Sequence, residues 1–331
     1  MSRVAVIGNG GFGTAMALLL VENGHRVTIW GHDEDLIDQV REERENSRYL
    51  PGVALPNELE FTHSEEEAVE QAELLVVAVP TLHLRTTLGL FKDLLPVRTP
   101  VVSLTKGIES ATLARPSQVI RECWPQRQVA VISGPSHAEE VARRVPSSVV
   151  AAASSRTFTR RLQKAFGTSS FRIYTNTDPI GVELGGALKN VIAIAAGLVD
   201  GLGYGDNTKA ALVTRGIVEM RRLAMRMGAR GSTFFGLAGI GDLITTSFSP
   251  HGRNRAVGLG LAAGRSLEDV LAGMAGVSEG VNTARSVVTL ARRHRVEMPI
   301  CTEVHAILFE RKAPADALRL LMTRTAKSED L

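Results

Sequence analysis

Arg3-Val4-Ala5-Val6-Ile7-Gly8-Asn9-Gly10-Gly11-Phe12-Gly13-Thr14-Ala15 stands near the start of the chain. A β-branched, apolar run ends on Gly8, and the spacing Gly8-x-Gly10-x-x-Gly13 follows at once. From Thr14 to Glu22 the composition is that of an apolar helix. Gly8 permits a tight turn, Gly10 lets backbone approach a pyrophosphate, and Gly13 lets the helix pack closely on the strand. The helix start offers unpaired N–H groups and a positive dipole end, which together attract an anion. Such glycine triplets recur by chance in loops. Lodged between a strand and a helix, this one reads as a dinucleotide site, with a plain packing turn as the alternative.

Working outward, short apolar strands alternate with amphipathic helices through the first half. Arg26–Trp30, Leu74–Val79, Val101–Leu104, Gln128–Ile132, Ser148–Ala152 and Phe171–Tyr174 read as strands, with helices at Asp33–Glu43, Ser64–Glu70 and Ser117–Cys123 among those between them. Alternation of this kind predicts a parallel sheet with right-handed crossovers. At Asp178-Pro179 the pattern changes: proline suits a first helical turn, and from Ile180 onward no period-2 strand occurs. The expected fold is therefore an α/β doubly wound sheet over residues 1–178 followed by an all-α domain over 179–331. Ligands bind such sheets beyond the carboxyl ends of the strands, so the helical domain should close over that edge.

Composition removes several classes of function. At 331 residues, 44% hydrophobic and 22% charged, the chain is ordinary for a globular protein of two domains. A net charge of +3, with no basic run interleaved with aromatics, gives no footing for nucleic acid. Cys123 and Cys301 are far apart and no Cys or His clusters occur, so neither a disulfide framework nor a metal site is expected. With a strand beginning at Arg3 there is no room for a signal peptide, and Val191–Val199 falls short of the roughly 18 apolar residues of a membrane span. The expectation is a cytoplasmic protein with no stable membrane insertion.

Polar residues then mark the sheet's ligand edge. The second strand ends at Trp30-Gly31-His32-Asp33, where an NAD site usually keeps a carboxylate for the ribose; Gly31 at the tip would not repel a 2′-phosphate, and His32 could approach one. Lys106 follows the strand Val101–Leu104, and Gly134 and Ser136 follow Gln128–Ile132. Lys189 lies inside the apolar helix Val182–Ala193 with Gly185, Gly186 and Ala193 on its face, small residues that would leave a ligand an opening to the amine. Only seven of the 38 basic residues are lysine. A retained lysine suggests a titratable amine, because arginine stays charged while a buried lysine shifts its pKa readily. Downstream, Gly239-Ile240-Gly241-Asp242 and Gly252-Arg253-Asn254 suit recognition of a phosphate by a guanidinium fork and an amide. Each taken singly also has a plain structural reading, as a snorkelling lysine, a helix cap or a surface charge.

Together these segments, with Leu104-Thr105-Lys106-Gly107-Ile108-Glu109, Ser133-Gly134-Pro135-Ser136, Leu184-Gly185-Gly186-Ala187-Leu188-Lys189-Asn190-Val191 and Val277-Ser278-Glu279-Gly280, resemble the soluble bacterial NAD(P)-dependent glycerol-3-phosphate dehydrogenases from Val6 to about Leu321. The resemblance implies a Rossmann-like first domain and interconversion of dihydroxyacetone phosphate and sn-glycerol 3-phosphate, the glycerophospholipid backbone. It implies NADPH/NADP or NADH/NAD as cofactor and a homodimer. Lys189 matches the catalytic lysine. Lys106, Gly134, Ser136, Lys189, Asp242, Gly252, Arg253 and Asn254 match substrate positions. Gly8, Gly10, Gly11, Phe12, Gly13, His32, Lys106, Ala138, Arg253, Val277 and Glu279 match cofactor positions. Gly11 stands where the family often has Ser, and Gly252 likewise, each removing a side-chain donor. A β-hydroxyacid dehydrogenase would show Lys-x-x-x-Asn, whereas here Asn190 directly follows Lys189. A non-catalytic dinucleotide sensor would give Lys189 no reason to sit where it does.

Overall fold

The computed structural model describes residues 1–331 apart from Val97, Ala275, Ala326, Lys327, Asp330 and Leu331. Eight strands form one sheet: β1 (Arg3–Ile7), β2 (Arg26–Trp30), β3 (Leu59–Thr62), β4 (Leu74–Val77), β5 (Val101–Ser103), β6 (Val129–Ser133), β7 (Ser147–Ala152) and β8 (Phe171–Asn176). Their order is β3-β2-β1-β4-β5-β6-β7-β8, so the chain changes direction across the sheet between β1 and β4. That switch point is where an open sheet leaves a crevice at its carboxyl edge. Val4, Val6, Ile7, Val27, Ile29, Leu75, Val76 and Val102 are all buried, as continuous apolar strands covered on both faces should be.

Helices cover the two faces: α1 (Gly11–Glu22), α2 (Glu34–Glu43), α3 (Glu65–Val69), α4 (Thr81–Leu90), α5 (Pro116–Cys123), α6 (Ala138–Ala142) and α7 (Arg156–Phe166). Gly8, at φ +112°, makes the turn from β1 into α1, and a Cβ there would lie 2.8 Å from the Ala78 carbonyl oxygen. Asp33, Ser64 and Ser155 cap α2, α3 and α7 by accepting backbone N–H bonds.

The sheet departs from the wholly parallel expectation at one seam. β6 and β7 pair antiparallel, Val131 to Ala152 and Ser133 to Val150, and β8 runs parallel to β7. The connection carries α6 beside α1. It therefore stays at the carboxyl edge, and the chain re-enters the sheet from the side it left. No crossover of the kind a parallel neighbour requires is made. The strand β3, Leu-Glu-Phe-Thr, was not foreseen, being too short to show alternation.

From Pro179 the chain is helical: α8 (Pro179–Gly201), α9 (Asp206–Arg226), α10 (Asp242–Phe248), α11 (Arg253–Ala262), α12 (Leu267–Ala272), α13 (Glu279–His294), α14 (Pro299–Phe309) and α15 (Pro314–Met322). Asp178 caps α8, its carboxylate accepting from the Gly181 N–H at 2.9 Å, with Pro179 in the first turn. α8 is the axis of this half, and residues from α9, α10, α11, α13 and α14 join it in one apolar core. Its apolar stretch is longer than Val191–Val199. By length and composition, at mean hydropathy 1.6, it would suffice to cross a membrane, yet every residue of that stretch is buried inside the protein.

Candidate functional site

Three segments deliver the central cluster. β5 runs into Leu104-Thr105-Lys106, α8 carries Lys189 at its middle, and a π-helical turn, Leu237–Gly241, leads directly into α10 and its first residue Asp242. Such wide turns redirect a chain locally and often mark functional sites. Asp242 is 2% exposed and each of its oxygens takes one lysine: Oδ1 accepts from Lys189 Nζ at 2.6 Å and Oδ2 from Lys106 Nζ at 3.0 Å. Lys106 Nζ also donates to the Gly134 carbonyl at 3.1 Å, and Lys189 Nζ to the Thr246 hydroxyl one turn along α10.

Two cations and one anion in a dry place leave a net positive charge. Burial is the largest influence on Lys189 and Lys106 and Arg253 add to it, so despite the Asp242 carboxylate its pKa falls to about 8. For Asp242, burial pushes the carboxyl up, but the two lysines outweigh it and hold the pKa below the usual carboxylate range. An ammonium has three donors; Asp242 and Thr246 occupy two of those on Lys189, leaving one for a ligand.

The small residues beside Lys189 do not open a path, contrary to the sequence expectation. A Cβ at Gly185 would lie 2.3 Å from the Ala238 carbonyl oxygen, and one at Gly186 would lie 2.6 Å from Ser133 Oγ. These glycines let α8 press against the Leu237–Gly241 turn and the end of β6, which is what brings Lys189 to Asp242.

Around the cluster, the sequence-derived residues fall into groups. Phe12, from the glycine turn, lies under Lys106 Nζ at 5.5 Å, so the turn and the lysines adjoin. Ser136 Oγ donates to the Gly134 carbonyl at 2.9 Å. Gly252 precedes α11 and packs tightly, since a Cβ there would lie 2.9 Å from the Thr246 carbonyl oxygen. Arg253 is exposed, with its guanidinium beside Gly276. Asn254 faces inward: its amide oxygen accepts from Ser278 Oγ at 2.7 Å and the Gly280 N–H at 2.9 Å, and its Nδ2 donates to Asn190 at 3.0 Å. What α11 offers a phosphate is thus its first backbone N–H groups, Arg253 and the second hydrogen of Asn254 Nδ2, the first being given to Asn190. His32 stands apart at the tip of β2, exposed and 6.2 Å from the Trp30 ring. Thr246 was missed, although its place four residues after Asp242 on one helix was the available signal.

The surroundings fit a dinucleotide. Gly10 caps α1 and has open space where a side chain would be. Ala138 lies within 3.5 Å of where a Gly11 Cβ would be; that Cβ would strike the Tyr49 carbonyl oxygen at 2.4 Å, which explains glycine at 11. Glu279 reaches from α13 to α4, its Oε1 accepting from the Thr81 N–H at 2.7 Å and its carboxyl also meeting the Thr81 side chain. Burial raises the pKa of that carboxyl.

Comparison with known proteins agrees with this geometry. Residues 3–159 match the family described as NAD-dependent glycerol-3-phosphate dehydrogenase N-terminus, and residues 178–319 its C-terminus. The NAD(P)+ glycerol-3-phosphate dehydrogenase of Chlorobium limicola is 49% identical over 330 residues, covering 99% of this chain and 99% of its own. That of Citrifermentans bemidjiense is 47% identical, covering 99% and 98%. The crystal structure of glycerol-3-phosphate dehydrogenase from Coxiella burnetii superimposes with a TM-score of 0.95 at 36% identity, over 98% of this chain and 99% of that one.

Proposed function

The chain belongs to the NAD-dependent glycerol-3-phosphate dehydrogenase family, and from that premise we propose how its residues divide the work. The reaction is the reversible NAD(P)H-dependent reduction of dihydroxyacetone phosphate to sn-glycerol 3-phosphate, the glycerophospholipid backbone. The nicotinamide cofactor supplies the hydride when bound. Gly8, Gly10, Gly11, Phe12 and Gly13 would hold its pyrophosphate side, His32 its ribose end, and Lys106, Ala138, Arg253, Val277 and Glu279 the rest.

The observation that carries the reading is the convergence of Lys106 and Lys189 on opposite oxygens of one buried carboxylate, at the carboxyl edge of the sheet. Reduction places negative charge on the C2 oxygen. Lys189, held by Asp242 and Thr246 with one donor free, gives that oxygen a proton in one direction and takes it back in the other. A pKa of about 8 suits both, since either protonation state is accessible near neutrality. Lys106 adds positive charge and Asp242 fixes both amines. Arg253 and the first N–H groups of α11 take the substrate phosphate, a fork-and-dipole arrangement suited to a dianion. We further propose that the enzyme works as a homodimer in the cytoplasm.

Absorbance of NADPH or NADH followed with dihydroxyacetone phosphate tests the reaction. Replacement of Lys189 by Met tests the assignment of the proton. Turnover of the variant at the wild-type rate would remove Lys189 from the mechanism.

A further inference from the structure

The tip of β2 holds an arrangement that bears on which nicotinamide cofactor the enzyme takes. At this place a carboxylate ordinarily binds the ribose hydroxyls of NAD, while a nearby arginine accommodates the 2′-phosphate of NADP. Gly31 cannot supply the carboxylate: a Cβ there would lie 2.6 Å from Ile37 Cδ1 and 2.8 Å from Asn9 Cγ. The first acid past the tip is Asp33, and both its oxygens are engaged. Oδ1 accepts from the Leu36 N–H at 3.2 Å as the cap of α2, and Oδ2 pairs with Arg48 at 3.3 Å.

Arg48 is brought there by a loop anchored to the glycine turn. Asn46, fully buried, donates from Nδ2 to the Asn9 carbonyl at 2.8 Å and to the Thr14 hydroxyl at 3.0 Å. Its carbonyl accepts from the N–H groups of Tyr49 at 3.2 Å and Leu50 at 2.7 Å, which fixes the backbone around position 48. The neighbouring guanidiniums are committed elsewhere, Arg41 to the Phe61 carbonyl at 2.9 Å and Arg44 to the Leu59 carbonyl at 2.9 Å. Among the described residues Arg48 pairs with Asp33 and lies 5.3 Å over its neighbour's ring, that of Tyr49, and its side chain is 56% exposed. An ion pair this exposed is weakly held. A phosphate dianion at the ribose can therefore draw the guanidinium across.

We propose that Arg48 is the residue that binds the 2′-phosphate of NADPH, with Asp33, once the guanidinium has moved, held by its helix cap alone and His32 alongside. The enzyme accordingly selects NADPH over NADH. The proposal rests on the reductase reading above and extends it to a residue outside the motifs quoted for the resemblance.

The test is Arg48→Gln, assayed with dihydroxyacetone phosphate against both cofactors, together with calorimetric binding of 2′,5′-ADP and 5′-AMP. The ratio of kcat/KM for NADPH to that for NADH should fall about 10-fold or more, the scale of a lost charge-assisted hydrogen bond. The affinity for 2′,5′-ADP should fall with it, and far more than that for 5′-AMP. Asp33→Asn, which retains a capping oxygen but not the charge, should raise the same ratio. A ratio and a 2′,5′-ADP affinity that both stay within about threefold of the unmodified protein, too little for one charged contact, overturn the assignment. Binding of 2′,5′-ADP that depends on Arg48 in a protein that reduces nothing would sink the reductase reading and leave this one standing.

Discussion

Lys189 and Glu219 are both ionisable groups sealed inside the helical half, at 5% and 4% exposure. Burial drives each toward its neutral form, bringing Lys189 down to about 8 and Glu219 up to about 7. Their surroundings differ. Lys189 faces an opposite charge and a second cation at the edge of the sheet. Glu219, on α9, accepts from the Ile300 N–H at 2.8 Å and the Cys301 N–H at 3.4 Å, and so closes the first turn of α14. A displaced pKa is thus a mark of burial first and of chemistry only where other charges and an approach for ligand meet it. One group should govern turnover and the other stability.

The largest expected effect is on turnover. Lys189→Met, which keeps the volume and removes the proton, should lower kcat by about 10²–10⁴-fold. Its dissociation constant for NADPH, read by fluorescence, should stay near the wild-type value, because the glycine turn is untouched. A comparable loss from Glu219→Gln would erase the distinction between the two regions.

Next in size is Arg253→Lys. A lysine keeps the charge but not the two-pronged geometry, and a charge-assisted contact is worth about 10-fold or more in kcat/KM for dihydroxyacetone phosphate. Unphosphorylated dihydroxyacetone should lose little. Equal losses for the two substrates would assign Arg253 to the cofactor or to folding.

The pH dependence separates the regions further. Reduction needs Lys189 protonated, so its kcat/KM should decline as pH rises through about 8, whereas glycerol 3-phosphate oxidation should increase over the same range. Lys189→Met should flatten both limbs in whatever activity remains.

Glu219 gives the smallest effect, read in stability alone. Its folded pKa, about 7, lies above the 4.5 of the unfolded chain, so between those values the folded protein holds a proton that the unfolded one has lost. Stability from this site is therefore full below about pH 4.5 and declines until pH passes 7. Glu219→Gln removes that slope, and relative to wild type should gain about 2 kcal/mol between pH 5 and pH 8 in urea unfolding. Parallel curves for the two proteins would show that the capping N–H groups, not burial, control the carboxyl.

The glycine turn, Lys106, Gly134 and Lys189 were legible because strand ends and helix periodicity are local signals, and the sheet rule places strand ends on one edge. Asp242 and Arg253 stood out by their glycine-rich turns, and the family resemblance gave them their substrate roles. The reversal at β7 was not legible, since strand direction depends on which edge the α6 connection follows, not on the composition of Ser147–Ala152. Gly185 and Gly186 were seen as positions, but their role was inverted: a missing side chain reads the same whether a ligand or the chain itself fills the space. The pairing of Asp33 with Arg48 depends on how the loop around Asn46 folds back, and no periodicity records that.

Helix α8 belongs to both halves of the molecule. Val182 joins Val131, Val150, Ala152 and Ala238 in a small apolar cluster, Glu183 accepts from the Ser117 N–H at 2.7 Å, and Asn190 donates to the Lys106 carbonyl at 3.2 Å. The seam between sheet and helices is therefore interior, packed and hydrogen-bonded like the rest. Heat should take such a molecule apart in one cooperative transition instead of two, and a dinucleotide bound at the sheet's edge should delay the melting of helices far from it, such as α9 and α14.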